Sequence, residues 1–273
     1  MIIIWSFFIN VKSLKSTILI TFISVSFIGS ILLFCVAVNY SRRTVRSISK
    51  DDLFIIADRI DDTISEVIQE KFNYLEYTGN LRTLKDDNVS LQEKNSFIVP
   101  MASNKEKDLI SISYMDKDGN ASLGPNKIVN FSSAPILQMA QKSKKSVIYG
   151  PTKDAITNKL SINICSPVFK QPNDVTGYLL ARLDCKFLCE ISSRIRIGQT
   201  GYAIFIDRNT GNTIGAPQEE DVINDQNLLA IAQSEHYADL EENMNNLLKG
   251  EKGSGYFTIQ GVERVMVYKP IAN

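Results

Sequence analysis

The 273-residue chain has one His, one Trp and eight Pro, and it lacks an excess of either charge, with 30 Lys and Arg against 30 Asp and Glu. A single histidine excludes a multi-histidine metal site. Imidazole catalysis has one candidate, His236, set between Glu235 and Tyr237 with no Ser or Cys nucleophile placed by a motif, and it reads as part of a solvated helix face. Balanced charge leaves no basic footprint for neutralising phosphates, so nucleic acid is not an expected partner. No H-E-x-x-H, G-x-x-x-x-G-K or G-x-G-x-x-G occurs, and neither a cofactor nor turnover is expected. Asp116-x-Asp118-x-Asn120 begins like a calcium loop. Its glycine stands at 119 instead of 121 and Lys127 replaces the bidentate Glu, so it reads as a hairpin turn. With 44% hydrophobic residues, the length suffices for one or two domains with a real core.

What the chain does have is a long apolar run. From Ser16 to Ser41 no residue is charged, and residues 18–38 contain fourteen Ile, Leu, Val or Phe. As a helix this stretch reaches about 31 Å, the thickness of the hydrocarbon layer. Its apolar side chains favour insertion by about 4–8 kcal/mol, which outweighs Ser24, Ser26 and Ser30. The run exceeds a signal-peptide core of about 7–15 residues, and Tyr40-Ser41-Arg42-Arg43 is a poor cleavage site. It reads as an uncleaved anchor. Lys12 and Lys15 precede it while Arg42, Arg43, Arg46 and Lys50 follow, a count that by itself puts the large domain in the cytoplasm.

Beyond the span, apolar residues recur three or four apart at Val45, Ile48, Leu53, Ile56, Ile60, Ile64, Val67 and Leu75, with no Gly or Pro from Arg42 to Thr78. This predicts a helix over about 43–80 that continues out of the membrane. Its stripe suits either pairing with a second copy or packing on its own domain. Cys35 falls in the span and Cys165, Cys185 and Cys189 in the domain. Three cysteines cannot all pair. They are free buried thiols, or two of them pair if the fold brings them together.

After residue 105 short β-rich runs alternate with helices. The predicted strands are Leu109 to Met115, Leu160 to Cys165, Gly177 to Leu183, Tyr202 to Asp207, Gly255 to Gln260 and Arg264 to Tyr268. The helices are Ala134 to Lys142, Lys186 to Arg194 and Asp225 to Leu248. The class is α+β. The pattern also repeats. Tyr114-Met-Asp-Lys-Asp-Gly-Asn120 leads to Gly124-Pro125, and Phe205-Ile-Asp-Arg-Asn-Thr-Gly-Asn212 leads to Gly215-Ala-Pro217. Each is a strand, an Asx/Gly turn and a short return strand. Each is followed by a helix, a Gly-containing strand and a strand ending in Ser166-Pro-Val168 or Lys269-Pro-Ile271. One module is written twice.

Three stretches carry a family resemblance: Gly150-Pro151 before the strand from Leu160, Gly177-Tyr-Leu-Leu-Ala-Arg-Leu-Asp184, and Ile197-Gly-Gln-Thr-Gly-Tyr-Ala-Ile-Phe-Ile-Asp207. Over residues 43–273 the chain resembles the double Cache (dCache) extracellular sensor of bacterial chemoreceptors and related transmembrane sensors. The resemblance implies an N-terminal membrane helix (18–38) after a cytoplasmic start (1–17) and a long stalk helix (43–84). Two tandem PAS-like α/β modules with antiparallel sheets would follow, membrane-distal (85–196) and membrane-proximal (197–273). It places both modules outside the cell, against the charge count, and implies a homodimer joined through the stalk and membrane helices. The proximal module ends before its expected closing strand and second span, as a truncated receptor would.

In the family the distal module holds the ligand. Its amino-acid-binding branch grips the ligand carboxylate with an Arg-x-Trp-Tyr stretch before an alanine. Aligning Ala140 with that alanine puts Ala134, Ile136 and Leu137 at those three positions, so the clamp is absent. Asp154 matches the first acidic position after Gly-Pro, while Arg182 occupies the later one. A guanidinium there suits carboxylate or phosphate, so the expected ligand is a small, possibly anionic molecule at Arg182. The alternative is that Arg182 only bridges Asp154 or Asp184. Tyr114, Tyr149 and Thr152 are the expected pocket wall. The expected role is the sensing portion of a chemotaxis receptor. The alternatives are the same input on a histidine kinase or diguanylate cyclase, or an anchored binding domain without output.

Overall fold

The computed structural model describes residues 14–105, 108–124, 127–153 and 159–271. The chain divides into two units, Met1–Asp52 and Leu53–Asn273. Helix α1 (Leu14–Gly79) begins in the first, where it carries a stretch, Ile18–Ala37, long and apolar enough to cross a membrane. Three of its hydroxyls are satisfied within the helix: Thr21 donates to the carbonyl of Ile18, Ser24 to Ile20 and Ser30 to Ser26. This back-bonding is how an apolar helix hides polar side chains.

The second unit is a mixed α/β domain. After α2 (Arg82–Lys85) and α3 (Leu91–Lys105) come β1 (Leu109–Asp116), β2 (Asn120–Ser122), β3 (Ile128–Asn130), α4 (Pro135–Ser143), β4 (Val147–Lys153), β5 (Leu160–Gln171) and β6 (Asp174–Asp184). These strands form one antiparallel sheet in the order β3-β2-β1-β6-β5-β4. Helix α5 (Lys186–Arg194) leads to two small sheets, β7 (Phe205–Ile206) with β8 (Thr213–Gly215) and β9 (Gly253–Ile259) with β10 (Val262–Tyr268). Between these sheets lie α6 (Glu219–Ile223), α7 (Leu228–Ser234) and α8 (Ala238–Leu248).

Strand alternation divides the large sheet into two faces. One carries Ile112, Tyr114, Ile164, Leu179, Ala181 and Leu183, which pack with Leu75 of α1 and Ile98 of α3. The stripe of α1 packs on its own domain, with Ile60, Ile64, Val67 and Ile68 meeting Ile162 and α5 residues Phe187 and Leu188. On the other face α4 lays Ile136, Leu137 and Ala140 on Met115, Cys165 and Tyr178. Helix α3 starts in a capping box, Ser90 N donating to Glu93 Oε2 at 2.9 Å and Glu93 N to Ser90 Oγ at 3.2 Å. Its Asn95 completes β1, donating to the carbonyl of Tyr114 and accepting from its N–H.

Several boundaries differ from the sequence expectation, each for a local reason. Strand β5 runs on through Pro167, because β4 pairs no further than Cys165 and the missing N–H is not needed there. The strand expected from Tyr202 is reduced to Phe205–Ile206, because Ile197 and Gly201 exchange backbone hydrogen bonds and close the segment before it into a tight loop. The single helix expected over Asp225 to Leu248 is two helices. Helix α7 closes with Tyr237 N donating to the carbonyl of Ala232, and His236 takes a left-handed φ of 58°. His236 is therefore an exposed end-of-helix residue and not part of a helix face. Cys165, Cys185 and Cys189 are buried free thiols. Burial pushes Cys165 and Cys185 up to about 12.

The repeated turns are alike at the level of atoms. The carboxylate of Asp116 accepts from the N–H groups of Asp118 and Asn120, and that of Asp207 from Asn209 N–H and Thr210 Oγ1. Gly119 (φ 84°) and Gly211 (φ 75°) take the left-handed position in each turn. Asn130 Nδ2 then donates to the carbonyl of Asp118 and to Asn120 Oδ1, while Asn227 Nδ2 donates to the carbonyl of Thr210 and to Asn212 Oδ1.

Candidate functional site

The face of the large sheet away from α1 and α3 changes character along its strands. Beneath α4 it is apolar. Two residues further along it turns polar, because β6 offers Arg182 after Tyr178 and Leu180, and β5 offers Asn163 and Ser161 after Cys165. The register sets Tyr149, Asn163, Arg182 and Ser111 abreast across β4, β5, β6 and β1. In the next row Thr152 stands opposite Ser161 and Ser161 opposite Asp184.

Two short hydrogen-bond chains hold the centre of this patch. Arg182 Nη2 donates to Ser161 Oγ at 3.4 Å, and Ser161 Oγ donates to the carbonyl of Thr152 at 3.4 Å. In the other direction Asn163 Nδ2 donates to Thr152 Oγ1 at 2.9 Å, and Thr152 Oγ1 donates to the carbonyl of Ser161 at 3.3 Å. The facing pair Thr152 and Ser161 thus steadies both a guanidinium and a carboxamide. All four are less than fully exposed, and Ser161 is buried.

Of the residues expected at a site, the structure brings together Arg182, Thr152 and Tyr149, the last with 39% of its surface exposed. Asp154 lies outside the described residues. Tyr114 is on the opposite face, 2% exposed, and its hydroxyl donates to the carbonyl of Thr176. Strand parity decides this, since Tyr114 pairs with Leu179 while Ser113 pairs with Leu180 on the polar face. Burial raises the phenol of Tyr114 and lowers the ammonium of Lys94 beneath it. Their contact belongs to the core. Asn163 and Ser161 were missed because a serine and an asparagine in an apolar strand carry no motif; the cross-strand register with Tyr149, Thr152 and Arg182 is what singles them out.

The positions of the amino-acid clamp are apolar in fact. Ile136 and Leu137 are buried in the core with Ala140, and Ala134 precedes the first turn of α4. None of these side chains can bind a carboxylate. Among the described residues no group of three or more His, Cys, Asp or Glu could hold a metal ion. Asp184 Oδ1 accepts from the N–H of Lys186 and starts α5. The end of β4 is tied to the second half of the domain by Lys153 Nζ, 2.5 Å from Asp225 Oδ2.

The fold is shared with sensor domains of known structure. The ligand-binding domain of the Pseudomonas fluorescens chemoreceptor CtaA, solved with L-isoleucine, matches with a TM-score of 0.59 at 18% identity, covering 85% of this chain and 90% of that one. The ligand-binding domain of Mlp24 with asparagine gives 0.56 at 19% identity over 84% and 90%. The extracellular domain of a histidine kinase, mmHK1S-Z2, gives 0.57 at 16% identity over 81% and 92%. No curated protein matches at a significant level. The family model dCache_1, described as Cache domain, matches residues 40–273. With six antiparallel strands, a helix-backed core and a second Asx-turn hairpin within that span, the chain belongs to the Cache-domain family.

Proposed function

We propose that the chain is the extracellular ligand-sensing portion of a transmembrane chemoreceptor, taking a small carboxylate on the Arg182 face of the large sheet. In this reading residues 85–196 are the membrane-distal, ligand-holding module and 197–273 the membrane-proximal one. Residues 18–38 are the anchor, and the receptor is a homodimer through its helices. Since the stripe of α1 from Ile60 to Leu75 packs on its own sheet, pairing uses the segment nearer the membrane. The observation that carries the ligand class is the exchange of charges on the two sides of the site. The α4 positions that would grip a carboxylate hold Ala134, Ile136 and Leu137, with no cation among them, while the sheet beneath presents Arg182 steadied by Ser161. A guanidinium makes charge-assisted bonds to carboxylate worth about 1.5–3 kcal/mol each.

Ligand binding would favour one arrangement of the domain over another and displace α1 by about 1–2 Å. Calorimetric titration of the full chain in nanodiscs against a panel of organic acids tests the reading. Arg182→Ala should weaken the best binder at least about tenfold, and unchanged binding would refute it. The likeness to a histidine kinase extracellular domain favours a second reading of the output, the same input joined to a kinase or cyclase.

A further inference from the structure

Between β8 and α7 the chain runs through Pro217-Gln-Glu-Glu-Asp-Val-Ile-Asn-Asp225, a segment with four carboxylates and no basic residue. None of its residues is buried, and Ile223 is 59% exposed. Its backbone hydrogen bonds stay local, Asp221 N–H donating to the carbonyl of Gln218 and Asn224 N–H to that of Glu220. Helix α6 thus lacks the buried apolar face that holds most helices in place. The two ends are fixed: Ala216 is buried, and the carbonyl of Gln226 accepts from Thr213 N–H at 2.8 Å. What ties down the stretch between them is charge from outside it. Lys186 Nζ, at the start of α5, lies 2.9 Å from Glu219 Oε1, and Lys153 Nζ, at the end of β4, lies 2.5 Å from Asp225 Oδ2. Both lysines come from the first half of the domain and both carboxylates from the second, with one pair at each end of α6.

The start of this segment meets Cys189, one turn along α5 from Cys185 and 6% exposed. Burial raises its thiol, a hydrogen bond with the backbone of Ala216 opposes that rise, and the charge of Glu219 adds to it. The thiol therefore senses both the fixed end of the segment and the carboxylate that Lys186 holds. We infer that residues 217–225 are an ionic strap across the two halves of the domain, closed over Cys189 while Lys186 and Lys153 hold it and open when they let go. The pairs are part-exposed, so each is weak and fades with salt. Opening removes no side chain from a core and leaves Ala216 and Gln226 pinned, so it is a local event and not an unfolding of the domain. Because Lys153 ends β4, the strap also carries a shift of that edge strand into the second half.

The test is labelling of the full chain in nanodiscs with N-ethylmaleimide, an uncharged reagent, read at each cysteine by mass spectrometry, with hydrogen exchange of 217–226 measured in parallel. Raising salt from about 0.01 M to about 1 M cuts the screening length from about 30 Å to about 3 Å. Labelling of Cys189 and exchange in 217–226 should both rise about three- to tenfold. Cys165 and Cys185 should stay unmodified, which reports that the fold is intact. Lys186→Gln and Lys153→Gln should each raise both signals at low salt and blunt the response to salt, the second although its pair is at the far end of the strap. Lys186→Arg and Lys153→Arg, which keep the charge, should stay protected. Labelling of Cys189 that ignores salt and both glutamine substitutions overturns the inference. So does labelling that rises without faster exchange in 217–226, since the thiol is then reached by another route. Labelling of Cys165, Cys185 and Cys189 together overturns it as well, because the opening is then that of the whole domain.

Discussion

The turns at Asp116 and Asp207 are held by closely similar bonds, yet they stand in sheets of very different size. Strand β1 runs eight residues into its turn and pairs along its length with β6, whereas β7 has two residues and, among the described residues, pairs with β8 alone. The same local code of Asp, Gly and Asn closes both hairpins. What differs is the tertiary setting: the first hairpin joins a six-stranded sheet packed on both faces. The second rests on a small cluster around Ala232, Leu240 and Met244, and on α5. The comparison teaches that turn chemistry specifies a hairpin, and that the length of strand it organises is set by the surface available for burial.

The comparison is tested most strongly at close backbone contacts. A Cβ on Gly177 would lie 2.3 Å from Tyr114 Oη and 2.4 Å from the carbonyl of Met115, both fixed in the large sheet. Gly177→Ala should destabilise the domain by about 3 kcal/mol or more, read by denaturant unfolding. In the small sheet the three atoms nearest a Cβ on Gly253 all belong to the side chain of Tyr268, its Oη at 2.5 Å the nearest, and none is backbone. Gly253→Ala should cost about 1–2 kcal/mol, and equal losses would show that the two sheets are equally rigid.

Next come the clamps. Asn227 also accepts from Ala230 N–H and so caps α7. Asn227→Ala should cost about 1–2 kcal/mol and raise hydrogen exchange in 205–234, while Asn130→Ala should do the same in 116–134. If either change opened both turns, the halves would not be separable units.

A smaller effect is expected where the last sheet meets α1. Lys269 Nζ lies 2.8 Å from Asp58 Oδ1 and 2.6 Å from Asp61 Oδ2. The Lys269 hydrogen bond holds Asp58 below the usual carboxylate range, with Lys252 helping, and the two carboxylates raise Lys269. A lowered carboxylate contributes stability above its unfolded pKa and loses it as pH falls through the folded value. A raised lysine contributes below its unfolded pKa and loses it as pH rises through the folded value. The contribution is therefore full between about pH 4 and pH 10. Lys269→Met should lower Tm by about 1–3 °C inside that window and by less outside it. A difference independent of pH would assign the effect to packing. The smallest expected signal is in the thiols: with Cys165 and Cys185 pushed up to about 12, maleimide labelling at pH 8 followed by mass spectrometry should leave both unmodified until the chain unfolds.

The elements with strong periodicity or a family stretch were legible: the apolar span, the stripe of α1, the strands around Leu109, Leu160 and Gly177, and both turns. Helix α3 was not anticipated, although Ser90-Leu-Gln-Glu93 spells its capping box. The division of α7 from α8 was hidden because His236 takes a left-handed conformation that Gly or Asn would have announced. At the candidate site, the place of Arg182 on β6 follows from the family stretch Gly177–Asp184, and its role there is the proposal made above. Tyr114 was placed on the wrong face because membership of a strand was read without its parity. Ser161 and Asn163 emerge only from pairing with β4 and β6, which no single strand displays.

The central claim is that the large sheet, and not the second half, senses a small acid. Hydrogen–deuterium exchange of the full chain, with and without the tightest-binding acid of the calorimetric panel, tests it most directly. Slowed exchange in 147–153 and 160–184, with 253–268 changing less, is the expected result. Protection confined to 205–268, with the Arg182 strand unaffected, would contradict it.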